Sequence, residues 1–427
     1  MKKSRVAIVE GIRTPFCKAG GILKEIEPDD LGAFAVAELL ARIGKWKVQP
    51  EALVFGNVIQ PPHLANIARI ISVKGGLPVQ VPAMTVSRNC ASGLEAITTA
   101  ANQILLGEYG SVVVGGVESM TNFPIPIQKK YRDFLQKLMK AKGWGERLRT
   151  LLTFRLKFLM PESPSLVDPL CGLSMGQTAE VLVREFAITR EAQDQFALMS
   201  QQRAYQATNS GRLAEEIFPL LIPPAYQTYQ MQDDGPRANQ TLEALLKLKP
   251  IFDPLTGTVT AGNSSPLTDG AAALLLMSEE KVRQLGIKPL GYLRDAAAAG
   301  LEPRRMGLGP AFATAKLLKA TGMKLSDFDL IEINEAFAGQ VLSVIKACAS
   351  ETFCRTELGW DKPVGEIDMQ KLNVNGGAIA LGHPLGASGA RLVLTILKEL
   401  RRRQKNLGLV TLCIGGGQGQ AAIVEVE

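Results

Sequence analysis

Arg88-Asn89-Cys90-Ala91-Ser92-Gly93 decides the reading of this chain. The run before it, Val81 to Val86, has extended character. After it Leu94, Ile97, Ala101 and Ile104 recur at helical spacing, and Gly107 is placed to end the helix. A strand running into a helix sets Cys90 at the positive end of the helix dipole, which favours its thiolate. A lone cysteine is otherwise read as a small buried hydrophobe. Two distant elements weigh against that reading here. One is His383, in Gly382-His383-Pro384, and the other is Cys413, in Cys413-Ile414-Gly415-Gly416-Gly417. A nucleophile, a base and a second thiol point to covalent acyl transfer.

Working outward, the same stretch begins an internal repeat. Ala91-Ser92-Gly93, a helix, the strand Ser111 to Val114 and Gly115-Gly116 recur near an offset of 296 residues. The later copy is Ala387-Ser388-Gly389, a helix through Leu400, the strand Leu409 to Leu412 and the glycines from Gly415. Asn57, after Leu53-Val54-Phe55-Gly56, likewise matches Asn334, after Leu330-Ile331-Glu332-Ile333. Two related halves that alternate strand and helix predict an α/β protein with parallel or mixed sheets covered by helices. A long insertion, from about Thr121 to Lys249, lies between them and is rich in proline, charge and helix formers.

The chain's 427 residues suffice for two or three domains and a large core. Its hydrophobic content of 46% and charge of 21% are those of a soluble protein. The cysteines at 17, 90, 171, 348, 354 and 413 form no Cys-x-x-Cys pair, which favours reduced thiols in a reducing compartment. His63 and His383 are the only histidines and gather no ligand cluster, so no metal site is expected. Met1-Lys2-Lys3 resembles the start of a signal peptide, but Glu10 and Arg13 interrupt the short apolar run after it. No apolar stretch is long enough to span a membrane. The expected location is cytoplasmic.

The net charge of +7 is concentrated. Residues 128–160 hold ten Lys or Arg and two acids, a local charge of +8, so the remainder is close to neutral. Tyr131, Phe134, Trp144, Leu148, Leu152, Phe154, Leu156 and Met160 are interleaved with these cations. This mixture suits an amphipathic helical hairpin at an anionic lipid surface or against an acidic partner, with the location then peripheral to a membrane. The competing reading is a solvated basic face covering the protein's own core. Some of the cations could instead line the approach of a phosphate-bearing substrate. Nucleic acid is not expected, as no nucleic-acid motif accompanies the charge.

Asn89-Cys90-Ala91-Ser92-Gly93, Asn334-Glu335-Ala336-Phe337, Gly376-Gly377-Ala378-Ile379-Ala380-Leu381-Gly382-His383-Pro384 and Cys413-Ile414-Gly415-Gly416-Gly417-Gln418-Gly419 resemble the four signature blocks of the thiolases. Gly257-Thr258-Val259-Thr260-Ala261-Gly262-Asn263-Ser264-Ser265 resembles a fifth, which lines the coenzyme A site. The blocks occur in the family order. The resemblance implies a thiolase-like α/β fold, with two pseudo-symmetric halves in a five-layer α-β-α-β-α body and an inserted loop domain. On that plan residues 1–120 and 250–288 form the first half and 289–427 the second. Residues 121–249 are the insertion, carrying the basic apolar segment 128–160. The resemblance also implies oligomerisation, as a dimer or tetramer, and coenzyme A as a substrate with no permanently bound cofactor.

The site roles follow from the same resemblance. Cys90 is the nucleophile, His383 takes its proton, and Cys413 is the second acid or base. One oxyanion hole is the His383 side chain with a water held by Asn334. The other is the backbone N–H groups of Cys90 and Gly415. Ser265, Phe337 and Met175 are the expected contacts to the substrate or coenzyme A. Read from residues alone, Asn334 could simply end its strand. Gly415 to Gly419 could be a dinucleotide loop, but the β-like Ala421 to Val426 follows where that loop requires a helix.

Neighbouring families differ at identifiable positions. Ketosynthases pair their cysteine with two histidines, or with a His and an Asn; here Asn334 and a second thiol favour a thiolase. Synthesising acetoacetyl thiolases typically carry His before the Met-Gly of the insertion, where this chain has Ser174. The insertion looks more like that of thiolases in β-oxidation complexes, although some bacterial members have His where Asn334 stands. The expected activity is cleavage of 3-ketoacyl-CoA; the alternative is an acetyl-CoA C-acetyltransferase. A reading of another class makes segment 128–160 a docking device for a membrane or for a hydratase/dehydrogenase subunit.

Overall fold

The computed structural model describes residues 5–160 and 167–427. Nine strands form one continuous mixed sheet: β1 (Val6–Arg13), β2 (Ala52–Gly56), β3 (Ala83–Val86), β4 (Ser111–Glu118), β5 (Thr268–Ser278), β6 (Gly291–Gly300), β7 (Leu330–Ile333), β8 (Leu407–Ile414) and β9 (Gln418–Glu425). Their spatial order is β7-β8-β9-β6-β1-β5-β4-β2-β3, with the short strand Cys17–Lys18 added beside β5.

The pairings repeat across the middle of this sheet. In the first half β2 is parallel to β3 and to β4, β4 is antiparallel to β5, and β5 to β1. In the second half Ile331 of β7 bridges Leu372 in parallel. Beyond it β7 is parallel to β8, β8 antiparallel to β9, and β9 to β6. The halves join where β1 runs antiparallel to β6, with Ala7 opposite Tyr292. This is the sequence repeat expressed as pseudo-two-fold symmetry.

Strand alternation then builds the layers. Val6, Ile8, Val112, Val114, Leu274, Leu276, Val410, Leu412, Ala422 and Val424 point into one shared core. Two helices fill it: α1 (Ser92–Leu105) and α2 (Leu385–Arg403), the latter buried on every side from Gly386 to Leu397. The alternate residues Ala7, Val9, Leu53, Phe55, Leu275 and Met277 face outward beneath the helix Pro28–Ile43 and its neighbour Ile67–Lys74. Leu409, Ala421 and Ile423 meet the helices Gly309–Thr321 and Ala338–Ala349 on the other outer face. Helices, sheet, helices, sheet and helices make five layers.

The insertion supplies the helices Lys129–Lys140, Trp144–Leu151, Met175–Glu185 and Arg190–Asn209. The first two form the expected hairpin. Its internal packing is aromatic, with Phe134 and Phe154 ring centroids 5.2 Å apart and Phe158 edge-on to Phe154. A buried ion pair ties the insertion to the first half. Arg13 bonds Glu216 at 2.8 Å and Asp233 at 2.6 Å, with all three side chains buried.

The two central helices touch through glycine. A Cβ on Gly389 would lie 2.3 Å from the Leu94 backbone nitrogen, and one on Gly93 2.7 Å from the Gly386 carbonyl oxygen. Both contacts are with backbone, so a methyl group must push the helices apart. Overpacking of this kind costs about 1–3 kcal/mol. Gly389→Ala should therefore lower the unfolding free energy by that amount, shifting the denaturant midpoint down without changing the m-value, and should also reduce turnover. Wild-type stability and activity in that variant would mean that the contact imposes nothing.

Candidate active site

Cys90 stands at the elbow between β3 and α1. Asn89 adopts left-handed φ of 43°, reversing the chain within one residue. The elbow is held locally: the Ser92 amide donates to the Asn89 carbonyl at 2.9 Å, and the Arg88 amide donates to the Ser92 hydroxyl at 2.9 Å. Cys90 is half-buried, and its sulfur lies close enough to the Gly415 amide for that dipole to favour its thiolate.

The Gly415 turn is fixed from two sides. Asn89 Nδ2 donates to the Gly415 carbonyl at 2.8 Å, and the Gly416 amide donates to Asp168 at 2.8 Å. A side chain on Gly415 would sit 3.1 Å from the Met175 sulfur, so Met175 lies directly over this backbone. Met175 opens its helix behind a capping box formed by Ser174 and Gln177, which satisfies two otherwise orphaned groups. Cys413 is buried near the end of β8 in an apolar cluster with Met306, Phe337 and Met175. It is close enough to Cys90 for a charge there to act on its thiol.

A second group is built around His383. The imidazole Nδ1 lies 2.6 Å from the Ser388 hydroxyl, which itself donates to the Pro384 carbonyl at 2.9 Å. Ser388 is thus an acceptor for Nδ1–H, and this assigns the lone pair to Nε2. Nε2 is 3.3 Å from Asn334 Nδ2. Asn334 follows β7, its amide donating to Thr411 of β8, two residues before Cys413. Its Oδ1 is buried with no partner among the described residues. Asn334 does end its strand, but its side chain also faces the imidazole. The sulfur group and the imidazole group are carried by the N-terminal ends of α1 and α2, which meet at Gly93 and Gly386.

The Gly257–Ser265 loop closes the other side. Glu180 accepts from the Thr258 and Val259 amides, each at 2.7 Å. The Ser265 amide donates to the Ala336 carbonyl at 3.0 Å, seating Ser265 beside Phe337, whose ring is edge-on to Phe252 at 6.0 Å. A narrow cleft of about 40 Å³ passes this loop, lined by Lys18, Arg237, Ala261, Ser264 and Ile379. A larger cleft, about 690 Å³, lies elsewhere, around Arg5, Arg294 and Glu425, and includes none of the residues above. Among the described residues no three His, Cys, Asp or Glu side chains converge as a metal site requires.

The electrostatics correct one expectation. The helix dipole predicts a thiolate at Cys90, yet burial pushes this thiol up to about 11 against the pull of the Gly415 amide and its own. Burial, and then the nearby Arg391 cation, press His383 down to about 3. Burial and then the proximity of Cys90 raise Cys413 far above the ordinary thiol range. The resting site therefore holds neutral thiols and a neutral imidazole. Desolvation outweighs a half-charge at one helix end.

Sequence reasoning missed Asn89, Asp168 and Ser388 as supports of the site. Ser388 had a signal, since it lies in the repeated Ala-Ser-Gly. Asp168 had none, being brought to Gly416 from across the insertion.

The chain has relatives that match it over nearly its whole length. Residues 6–280 match a family model described as "Thiolase, N-terminal domain", and residues 287–426 one described as "Thiolase, C-terminal domain". A protein from Pseudoalteromonas translucida named 3-ketoacyl-CoA thiolase is 44% identical over 426 residues, covering 99% of this chain and 97% of that protein. A Yersinia enterocolitica protein of the same name is 43% identical over 424 residues with the same coverage. Among solved structures, Bacillus anthracis acetyl-CoA acetyltransferase superposes with a TM-score of 0.86 at 38% identity, and human mitochondrial 3-ketoacyl-CoA thiolase with 0.84 at 35%. Each alignment covers 99% of both chains.

The neutral resting thiol is testable. Alkylation of Cys90 by iodoacetamide should keep accelerating up to about pH 9, without the plateau near about pH 7 that a preformed thiolate gives. A plateau there would contradict the dominance of burial.

Proposed function

The chain belongs to the thiolase family, and from that premise we propose that it is an acyltransferase cleaving 3-ketoacyl-CoA with coenzyme A in fatty-acid β-oxidation. The observation that carries the mechanism is the Ser388–His383–Asn334 line, which leaves Nε2 unprotonated and accepting from Asn334 Nδ2, at the end of one central helix while Cys90 stands at the end of the other near the Gly415 amide. Cys90 gives its proton to Nε2 as the sulfur attacks the 3-keto carbon. The C2–C3 bond breaks, its electron pair passes to C2, and Cys413 protonates that carbon, releasing acetyl-CoA. The Cys413 thiolate then removes the proton of the incoming coenzyme A. The coenzyme's sulfur attacks the acyl group on Cys90, and the departing Cys90 recovers its proton from His383.

Oxyanion stabilisation is assigned to two places. The Cys90 and Gly415 amides form one, and glycine at 415 lets the donor approach without a side chain. His383 Nε2, once protonated, donates at the other together with a water held by Asn334. Ser265, Phe337 and Met175 line the path of the pantetheine arm. Lys18 and Arg237 suit its phosphates. A 3-ketoacyl substrate supplies the developing charge that makes proton transfer within a neutral pair favourable.

Two further parts of the reading concern partners. The chain is read as a homo-oligomer, supported by β3, a half-exposed edge strand with Met84 40% exposed. Segment 128–160 is read as docking on an anionic bilayer surface. Its aromatic residues pack within the hairpin, yet Trp144 is 86% exposed and Met139, Leu152 and Leu156 nearly as much, among ten cations. Of those cations only Arg132 has an ion pair among the described residues, a long one of 3.9 Å to Asp133. Among the described residues no helix is long and apolar enough to cross a membrane.

Purified protein should cleave a sixteen-carbon 3-ketoacyl-CoA faster than acetoacetyl-CoA. The reverse preference would favour the acetyltransferase alternative. Cys413→Ala should still load acyl groups on Cys90 from a simple acyl-CoA while losing condensation, and equal survival of both would remove Cys413 from the chemistry. The docking surface is checked by co-sedimentation at low salt. Vesicles containing about one-third phosphatidylglycerol should pellet the protein, and combined Leu152→Ser and Leu156→Ser substitutions should weaken this severalfold. Equal pelleting by neutral vesicles, or no effect of the substitutions, would sink it, as would capture only by a hydratase/dehydrogenase subunit.

A further inference from the structure

Asn57 and Asn334 occupy matching places after β2 and β7, but only Asn334 faces the imidazole. Asn57 Nδ2 instead donates to Glu118 at 3.0 Å and to the Val117 carbonyl at 3.1 Å. Glu118, the last residue of β4, is completely buried. Its Oε1 also accepts from the Ile59 amide at 2.9 Å. Its Oε2 accepts from the Val58 amide at 3.2 Å and from the Gly386 amide at 2.9 Å. Gly386 is the second residue of α2, three positions after His383 and two before Ser388.

One buried carboxylate therefore receives four N–H donors from two stretches of chain, residues 57–59 and Gly386, and no basic side chain forms an ion pair with it among the described residues. It sits where a helix N-terminus stabilises an anion. A Cβ on Gly386 would fall 2.3 Å from the Val117 carbonyl and 2.8 Å from the Gly56 carbonyl, so the turn is pressed against the same strand ends. Burial drives the Glu118 carboxyl up to about 7, while the Ile59, Gly386 and Val58 amides hold it down.

We propose that Asn57 and Glu118 form a positioning clamp, anchored in the first half, that holds the His383–Gly386 turn of the second half so that the imidazole is aligned to take the Cys90 proton. The clamp rests on the acyl-transfer reading above. It assigns the two asparagines of the repeat to different duties: Asn334 attends the reacting groups, and Asn57 fixes the carboxylate that fixes the turn. Glu118 touches no reacting atom; it acts through the turn, and its charge in addition raises the Cys90 thiol.

The isosteric Glu118→Gln tests this in the full-length enzyme. Whichever way the amide faces, its NH2 group meets two N–H donors, so at least two of the four bonds are lost. Single-turnover acylation of Cys90 by acetyl-CoA at pH 7.5 should slow at least tenfold, with KM for the thioester within threefold of wild type. Iodoacetamide alkylation of Cys90, which needs only the thiolate, should not slow. Removing the Glu118 charge can only ease thiolate formation, so general loosening is recognised by KM instead: a rise beyond threefold along with slower acylation would overturn the clamp. Acylation within twofold of wild type in the folded variant would overturn it as well. If Glu118→Gln does not fold, Asn57→Ala removes one donor and leaves the Gly386 bond. It should slow acylation severalfold with the same unchanged KM, and wild-type acylation there would also refute the clamp. Wild-type protein that acetyl-CoA does not acylate at all would refute the acyl-transfer reading instead.

Discussion

Everything reactive in this protein depends on the closeness of two buried helix ends. Cys90 and His383 lie almost three hundred residues apart, and each sits just before a central helix. Those helices meet at Gly93 and Gly389, where neither residue has a side chain to keep the other away. The close approach places two helix N-termini, with their unsatisfied amides, around one small volume. It also brings the ends of β7 and β8 to the same place, and with them Asn334 and Cys413. Carboxyl ends of parallel strands are where open α/β sheets place ligands. Here both halves of the repeat contribute such ends.

Dehydration of that volume sets its chemistry. A thiolate–imidazolium pair separates charge, which a buried apolar site disfavours, and the Cys90 and His383 shifts both move toward the neutral pair. Such a site keeps its thiol less reactive toward electrophiles near neutral pH than a solvated cysteine would be. Around the reacting groups, the supports are mostly one polar side chain against one backbone group. Asp168 holds Gly416, Asn89 holds Gly415 and Ser388 holds the imidazole. Substitution of any of these would leave the reacting groups present but misaligned.

Much of this was legible in the sequence, for a physical reason. Repeats survive as patterns of glycine and small residues where backbones touch, so Ala91-Ser92-Gly93 and Ala387-Ser388-Gly389 predicted the two halves, while their meeting at the central crossing emerged only from the fold. Alternating apolar residues predicted the strands, although β4 runs on through Gly115 and Gly116 to Glu118, where glycines suggested an end. The protonation state was not legible. Helix-end electrostatics can be read locally, but desolvation depends on what the rest of the chain buries over Cys90. Asp168 and Glu118 escaped for the same reason, since each acts on backbone amides that are remote in sequence. The hairpin of residues 128–160 was legible as amphipathic, but not which of its apolar residues it keeps for itself.

The joining of β1 to β5 and β6 bears on how the chain folds. Its first strand finds its partners only after about 270 further residues, and the base arrives about a hundred residues later still. Such non-local pairing is slow, because loop-closure entropy is lost before the contacts that offset it can form. During synthesis Cys90 therefore emerges long before its imidazole, its second thiol or the amide of Gly415 exist as neighbours. Until then it is an ordinary solvated cysteine, vulnerable to oxidants and carrying no acyl chemistry. The two-half architecture thus acts as a timing device: Cys90 meets these neighbours only after about three hundred further residues have been made.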